Sequence, residues 1–172
     1  MPALGYHEGV KELGHFVEYF RKLQEIAQQG DAREESFYSA LASLLETVAE
    51  KSGRTHVHVT TLPKPTDAGN PDFRVWNGKD RIIGYIEAKK PEQEHLDEIE
   101  RSEQLKRYLD TFPNLILTNF FEFRLYRNGE RVETVPAARP FLLTRLRTTP
   151  ILERAEDLQA LLERFLDFSL PR

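Results

Sequence analysis

Two carboxylates and a lysine are spaced in this sequence so that they could bind a metal ion and hydrolyse a phosphodiester. Asp72 follows a loop, and Glu87 and Lys89 are separated only by Ala88. Side chains alternate along a strand, so Glu87 and Lys89 would share one face. Mg²⁺ prefers oxygen ligands, and the Ala88 backbone carbonyl could add another to the carboxylates. The bound ion would acidify water, and the ammonium would stabilise charge that develops on the phosphate.

A β-hairpin would bring these residues together. Residues 72–76 and 81–89 are predicted strands, and the Asn-Gly pair between them is a strong hairpin signal. If the loop has four residues, Asp72 lies opposite Tyr85, with Glu87 as its diagonal neighbour on the same face. Both carboxylates and the lysine would then meet at one end of the hairpin.

A simpler interpretation is a surface ion pair, which would contribute less than about 1 kcal/mol. The E-x-K spacing alone occurs often by chance. However, residues 82–86 read Ile-Ile-Gly-Tyr-Ile and are predicted to be buried on both faces of the sheet. Charged residues at the end of such a strand seldom lack a function, because burying them costs free energy.

The predicted elements alternate between helices and strands. Helices are expected at about 10–28, 31–51, 92–111 and 152–168, strands at 55–62, 72–76, 81–89, 114–118 and 121–126, and an irregular segment at 136–150. This order predicts an α/β fold with a mixed central β-sheet flanked by α-helices. We expect one domain, 1–172, made of an N-terminal helix (1–30), a core (31–130) and a C-terminal loop and helix (131–172).

The composition limits the possible functions. The chain has 172 residues, no cysteine and a net charge of -4. The absence of cysteine excludes a disulfide framework, a thiolate zinc site and a cysteine nucleophile. A protein that holds nucleic acid through phosphates alone is usually strongly basic, so we expect a fused domain or partner to supply affinity for DNA. Neither a secretory signal nor a membrane-spanning stretch is evident, which favours a prokaryotic cytoplasmic location and no membrane partner.

The sequence resembles the PD-(D/E)xK nuclease superfamily, in which Pro-Asp is followed after about fifteen residues by E-x-K. Four blocks in order, 69–73, 83–89, 102–108 and 113–119, resemble the N-terminal nuclease module of large restriction–modification polypeptides. In those, a helical spacer, an adenine-specific methyltransferase and a target-recognition domain follow the nuclease. The resemblance covers roughly 35–129. It implies a restriction-endonuclease-like core, Mg²⁺ as cofactor with Mn²⁺ as a substitute, DNA as substrate, and fused or associated methyltransferase and target-recognition domains.

The resemblance also assigns roles to individual residues. Asp72 and Glu87 would be metal ligands, and Lys89 the catalytic lysine. Glu35 is similar to the acidic residue on a helix that reaches the metal or its water in many members. The neighbouring residue, Glu34, is the alternative, although its spacing suits a helix cap based on Asp31.

Gln104 and Tyr108 resemble the Q-x-x-x-Y signature of the branch that includes RecB-type nucleases. Four residues apart, they share one helical face. There they could take part in catalysis by orienting the lysine, or contact a DNA phosphate. The alternative is a solvent-facing helix with Tyr108 partly packed. His56 and His58 alternate on a predicted strand, but no third ligand is evident nearby, so we interpret them as ordinary strand residues.

The expected activity is endonucleolytic hydrolysis of DNA by the cleavage module of a restriction–modification enzyme. One site per domain predicts that each copy nicks one strand, so a double-strand break would need a transient dimer on DNA. The alternatives are a non-catalytic module that docks DNA or protein, and a repair- or recombination-type nuclease. Basic residues near the site are candidates for contacts with backbone phosphates: Lys64, Lys79, Arg81, Lys90, Arg124 and Arg127.

Overall fold

The computed structural model describes residues 13–139 and 152–169. Within them the elements are α1 (Gly14–Gln28), a 3₁₀-helix (Glu34–Phe37), α2 (Tyr38–Lys51), β1 (His58–Thr61), β2 (Phe73–Trp76), β3 (Ile82–Ala88), α3 (Leu96–Glu100), α4 (Glu103–Thr111), β4 (Asn114–Thr118), β5 (Glu122–Arg127), β6 (Glu130–Pro136) and α5 (Ala155–Leu166). The predicted start of the first helix, at residues 10–12, and most of the predicted irregular segment lie outside the described residues. None of the helices in the described ranges is long and apolar enough to cross a membrane.

The six strands form one mixed sheet in the order β1-β2-β3-β4-β5-β6. Neighbouring strands are antiparallel except β3 and β4, which are parallel. A parallel pair needs a crossover connection, and α3 and α4 supply it. The mixed sheet with flanking helices confirms the α/β prediction.

The two faces of the sheet are covered by different helices. One face packs against α1, α2 and α5, and its core includes Phe73, Val75, Ile86, Ile116 and Phe165. The other packs against α3 and α4, and its smaller core includes Leu105, Tyr108, Leu115, Leu117 and Tyr126. Because side chains alternate along a strand, the neighbours of Phe73 and Ile86 in sequence, Asp72 and Glu87, are directed toward the second face.

Gly84 allows β3, β4 and α5 to approach closely. A Cβ on Gly84 would lie 2.6 Å from the Asn114 carbonyl oxygen and 2.7 Å from a ring carbon of Phe165. The Asn114 side chain donates hydrogen bonds to the carbonyls of Ile83 (3.0 Å) and Phe165 (2.9 Å). This contact fixes the strand that carries Glu87 against the helix behind it.

Three local predictions are wrong in detail. The single helix expected at 92–111 is two helices, because Ser102 caps α4 by accepting a hydrogen bond from Leu105 N at 3.2 Å. The expected cap at Asp31 is replaced by Ser36, whose hydroxyl accepts from Arg33 N at 3.0 Å. Strand β6 was not predicted, since its largely exposed, polar residues give no apolar signal.

Candidate active site

The hairpin register differs from the predicted one by two residues. Arg74, rather than Asp72, lies opposite Tyr85. The connection is one residue longer than assumed, because Trp76 pairs with Ile82, and a bulge beside Trp76 adds a second residue. The shift places Asp72 just beyond the end of the ladder, level with the carboxyl end of β3.

Asp72 is anchored to the backbone of the strand that carries Glu87. Its Oδ2 accepts a hydrogen bond from Ala88 N at 2.8 Å. The N–H and C=O of one strand residue point to the same side, so the Ala88 carbonyl is also directed toward Asp72. Glu87 is 2% exposed. The two carboxylates and the carbonyl predicted as metal ligands therefore meet at one end of the hairpin.

Burial and the neighbouring Asp72 disfavour the ionisation of Glu87. Burial, followed by the hydrogen bond and charge of Asp72, raises the pKa of Glu87 to about 9, and the charge of Lys89 only partly opposes this. Glu87 therefore keeps its proton at neutral pH, as expected for a buried carboxyl group beside a second carboxylate. A divalent cation between them would remove this cost, and their oxygen donors suit Mg²⁺.

This donor set is small. Within residues 13–139 and 152–169, no three His, Cys, Asp or Glu side chains are grouped closely enough to hold a metal ion by themselves. Mg²⁺ commonly keeps several waters and takes only one or two protein carboxylates. The cluster thus fits Mg²⁺ held by Asp72, Glu87 and the Ala88 carbonyl, with water as the remaining ligands.

Glu34, and not the favoured Glu35, is the glutamate that reaches the cluster. One Glu34 oxygen accepts from the Lys90 backbone N at 3.1 Å and the other from the Tyr38 hydroxyl at 3.0 Å. Its charge also contributes to the raised pKa of Glu87. Glu35 is exposed. The sequence favoured Glu35 because a cap based on Asp31 would engage Glu34, but the 3₁₀-helix is capped at Arg33 instead.

Tyr38 was not among the predicted site residues. It is 4% exposed, and its ring lies 4.7 Å from the ring of Phe73, the residue after Asp72. Burial and the carboxylates of Asp72 and Glu34 raise the pKa of its phenol far above the usual value. Its position four residues after Glu34, on the same helical side, was the available signal.

Lys89 lies where the alternation predicted, one residue beyond β3. Its backbone N donates to the Thr118 carbonyl at 2.8 Å, which extends the pairing of β3 with β4 past Ala88. The side chain is partly exposed and close enough for its charge to lower the pKa of Glu87. The structure therefore brings Asp72, Glu87 and Lys89 together.

Tyr108 and Gln104 form a pair beside the carboxylates. The Gln104 amide donates to the Tyr108 hydroxyl at 3.3 Å. Tyr108 is fully buried, and a Cβ on Gly69 would lie 3.4 Å from its hydroxyl oxygen. Burial and the charges of Glu87 and Asp72 raise the pKa of Tyr108 to about 12. These contacts place Tyr108 inside the site rather than on a surface that could contact DNA.

Arg124 has a structural position instead of the expected phosphate contact. It is 6% exposed and forms ion pairs with Asp97 (2.8 Å), Glu122 (2.9 Å) and Glu100 (3.2 Å). These pairs tie α3 to β5. With its donors directed at three carboxylates, Arg124 is not available to a nucleic acid.

The two histidines and a cavity lie away from the carboxylates. His58 Nδ1 is 3.7 Å from a Glu46 oxygen at the edge of the sheet, and His56 precedes β1. A cavity of about 820 Å³ lies at the opposite end of the hairpin, lined by residues 53–57, 77, 79–83, 166, 168 and 169. Neither feature contributes to the cluster around Glu87.

No family model matches this chain, and no curated protein matches its sequence. Among solved structures, the chain is similar to a chain of the DrdV–DNA complex determined by cryo-electron microscopy, with a TM-score of 0.66 and 27% sequence identity. The fold is a restriction-endonuclease-like core. The match covers 92% of this chain but 14% of that chain, so the present sequence corresponds to a small part of a protein solved with DNA.

Proposed function

We propose that this chain is a Mg²⁺-dependent endonuclease domain that hydrolyses DNA as the cleavage module of a restriction–modification enzyme. The observation that carries the proposal is the hydrogen bond from Ala88 N to Asp72, which sets this carboxylate beside the buried Glu87 on the face that also carries Lys89. The likeness to a protein solved with DNA supports DNA as the substrate.

Different residues of the cluster would contribute to different parts of the hydrolysis. Asp72, Glu87 and the Ala88 carbonyl would hold Mg²⁺, which supplies an acidified water and neutralises charge on the phosphate. Lys89, on the same face, adds a positive charge where negative charge develops. Glu34, fixed by Tyr38 and the Lys90 amide, would accept a hydrogen bond from water on the helical side of the cluster.

The domain would act within a larger assembly. The net charge of -4 is unfavourable for holding DNA through phosphates alone, so other domains would supply target recognition and much of the affinity. The small share of the DrdV chain that matches is compatible with fusion to such domains, including a methyltransferase. One such cluster within the described residues would nick one strand, and two copies on DNA would be needed for a double-strand break.

Cleavage of closed circular plasmid with Mg²⁺ tests this proposal. Asp72→Asn and Lys89→Ala should each lower the nicking rate by about 10²-fold or more, the cost of removing one group that stabilises the transition state. Asp80→Asn and Lys51→Ala make the same charge changes at exposed positions, in the hairpin turn and at the end of α2, and should nick at the parental rate.

Several outcomes would contradict it. If folded Asp72→Asn and Lys89→Ala variants cut as fast as the parent, the site is wrong. Binding of the plasmid without any Mg²⁺-dependent cutting would indicate a non-catalytic docking module. Degradation of linear DNA while closed circles stay intact would indicate an exonuclease, because an exonuclease needs an end.

A further inference from the structure

Arg74 carries an unmatched positive charge next to the proposed site. It lies two residues after Asp72 in β2, between Phe73 and Val75, which are fully buried in the core behind the sheet. Alternation therefore places Arg74 on the same face as Asp72 and Glu87. Its Nε is buried and has no hydrogen-bond partner.

The residues around Arg74 form no ion pair with it. Across the sheet it lies opposite Thr60 on one side and Tyr85 on the other, and Trp76 is the next residue of β2 on this face. Arg74 and these three neighbours are partly exposed. No carboxylate within the described ranges lies within 4.0 Å of the guanidinium, whereas the buried Arg124 has three.

A partly buried guanidinium without an acceptor is unfavourable, because desolvation is not offset by hydrogen bonds. An anion that binds over β1 and β2 would supply acceptors to the exposed part of the guanidinium. Phosphodiester oxygens suit the planar guanidinium, which can donate two parallel hydrogen bonds to them. Two residues of a strand span about 6.8 Å, so such a phosphate would lie close to one held at Asp72.

We propose that Arg74 binds a backbone phosphate of a nucleic-acid strand that crosses β1 and β2 on its way to the carboxylates of Asp72 and Glu87. This inference rests on the proposed nuclease function and adds the direction from which the strand enters. Trp76, next to Arg74 on the same face, offers an aromatic surface for a base or sugar of that strand.

The test measures binding of a short fluorescein-labelled DNA duplex by anisotropy, with Ca²⁺ in place of Mg²⁺, at several salt concentrations. Arg74→Gln should weaken binding uniformly across sequences and reduce the slope of log K against log salt by about 0.9, the value for one phosphate contact. Arg21→Gln changes the net charge equally but lies on α1, where Arg21 pairs with Glu18 and Glu25. It should leave the slope unchanged.

A second measurement separates binding from folding. Arg74 has no partner to lose, so Arg74→Gln should keep the parental thermal midpoint while its affinity for the duplex falls. Equal slopes for the parent and Arg74→Gln, or an equal loss in Arg21→Gln, would overturn the role of Arg74. If Asp72→Asn still abolishes nicking in that case, the nuclease proposal stands. If the parent neither binds the duplex nor nicks plasmid, both proposals fall.

Discussion

Replacing Glu87 by Gln should remove a specific pH dependence from the stability of the metal-free protein. The folded-state pKa of Glu87 is raised from 4.5 to about 9. Between these values the folded protein keeps a proton that the unfolded chain has lost. The free energy of unfolding therefore contains a contribution that is fully present below pH 4.5 and is lost as pH rises toward 9. Gln cannot ionise, so Glu87→Gln should lack it.

The size of the effect follows from the width of this window. Each pH unit inside it lowers the free energy of unfolding by about 1.4 kcal/mol, so raising the pH from about 6 to about 8 should cost about 2.7 kcal/mol. For a chain of this length that corresponds to a fall of roughly 5–10 °C in the thermal midpoint. Other titrating groups, such as the partly buried His15, act in both proteins and cancel in the comparison.

Thermal unfolding of the parent and Glu87→Gln in the presence of a chelator, monitored by circular dichroism at several pH values, measures this difference in pH dependence. Saturating Mg²⁺ should abolish it, because binding requires the ionised carboxylate and releases its proton. For the same reason the Kd for Mg²⁺ should fall about tenfold per pH unit across this range. The reasoning is refuted if parent and Glu87→Gln show the same pH dependence without metal, or if the affinity for Mg²⁺ does not change with pH.

Three further predictions test the surroundings of Glu87. Glu34→Gln should slow Mg²⁺-dependent nicking by about tenfold or more, because it loses one charge-assisted hydrogen bond. Glu35→Gln should nick at the parental rate. Equal rates for both variants would show that Glu34 is not part of the site. Tyr38→Phe should weaken Mg²⁺ binding in calorimetry and lower stability by only about 1 kcal/mol, since it loses one hydrogen bond but keeps its ring packing; unchanged affinity would make Tyr38 purely structural. Gly84→Ala should lower the thermal midpoint through about 1–3 kcal/mol of overpacking against the Asn114 backbone, and an unchanged midpoint would contradict the close approach described above.

The sequence predicted the residues of the site better than their geometry. The alternation that places Glu87 and Lys89 on one face depends only on the period of a strand, and the structure brings both to Asp72. The register between the strands depends instead on loop length and on a bulge beside Trp76, neither of which has a signal in residue type. Those two backbone irregularities moved Asp72 by two positions, to the place where it can accept from Ala88 N.

The choice between Glu34 and Glu35 shows the same limit at a helix end. Both glutamates precede the apolar face of α2, and the sequence favoured Glu35. The chain enters α2 through one turn of 3₁₀-helix, in which successive residues are rotated by about 120° instead of about 100°. This difference changes the directions in which the two side chains point relative to those in an α-helix. Only the three-dimensional contacts with Tyr38 and Lys90 distinguish them.

One face of the β2–β3 hairpin thus carries two sites that favour ligands of opposite charge. At its end, burial and the neighbouring Asp72 raise the pKa of Glu87, so Glu87 keeps a proton at neutral pH. Two residues away along β2, Arg74 has a buried Nε without an acceptor. Arg74 and Asp72 do not form an ion pair with each other. Asp72 accepts a hydrogen bond from Ala88 N, and Arg74 lies two residues further along β2. Under the proposed function a metal ion and a nucleic-acid strand would occupy both sites. The cation would balance the carboxylates, and a phosphate of the same strand would accept hydrogen bonds from Arg74. Affinity for metal and affinity for DNA should therefore be coupled, with each raising the other.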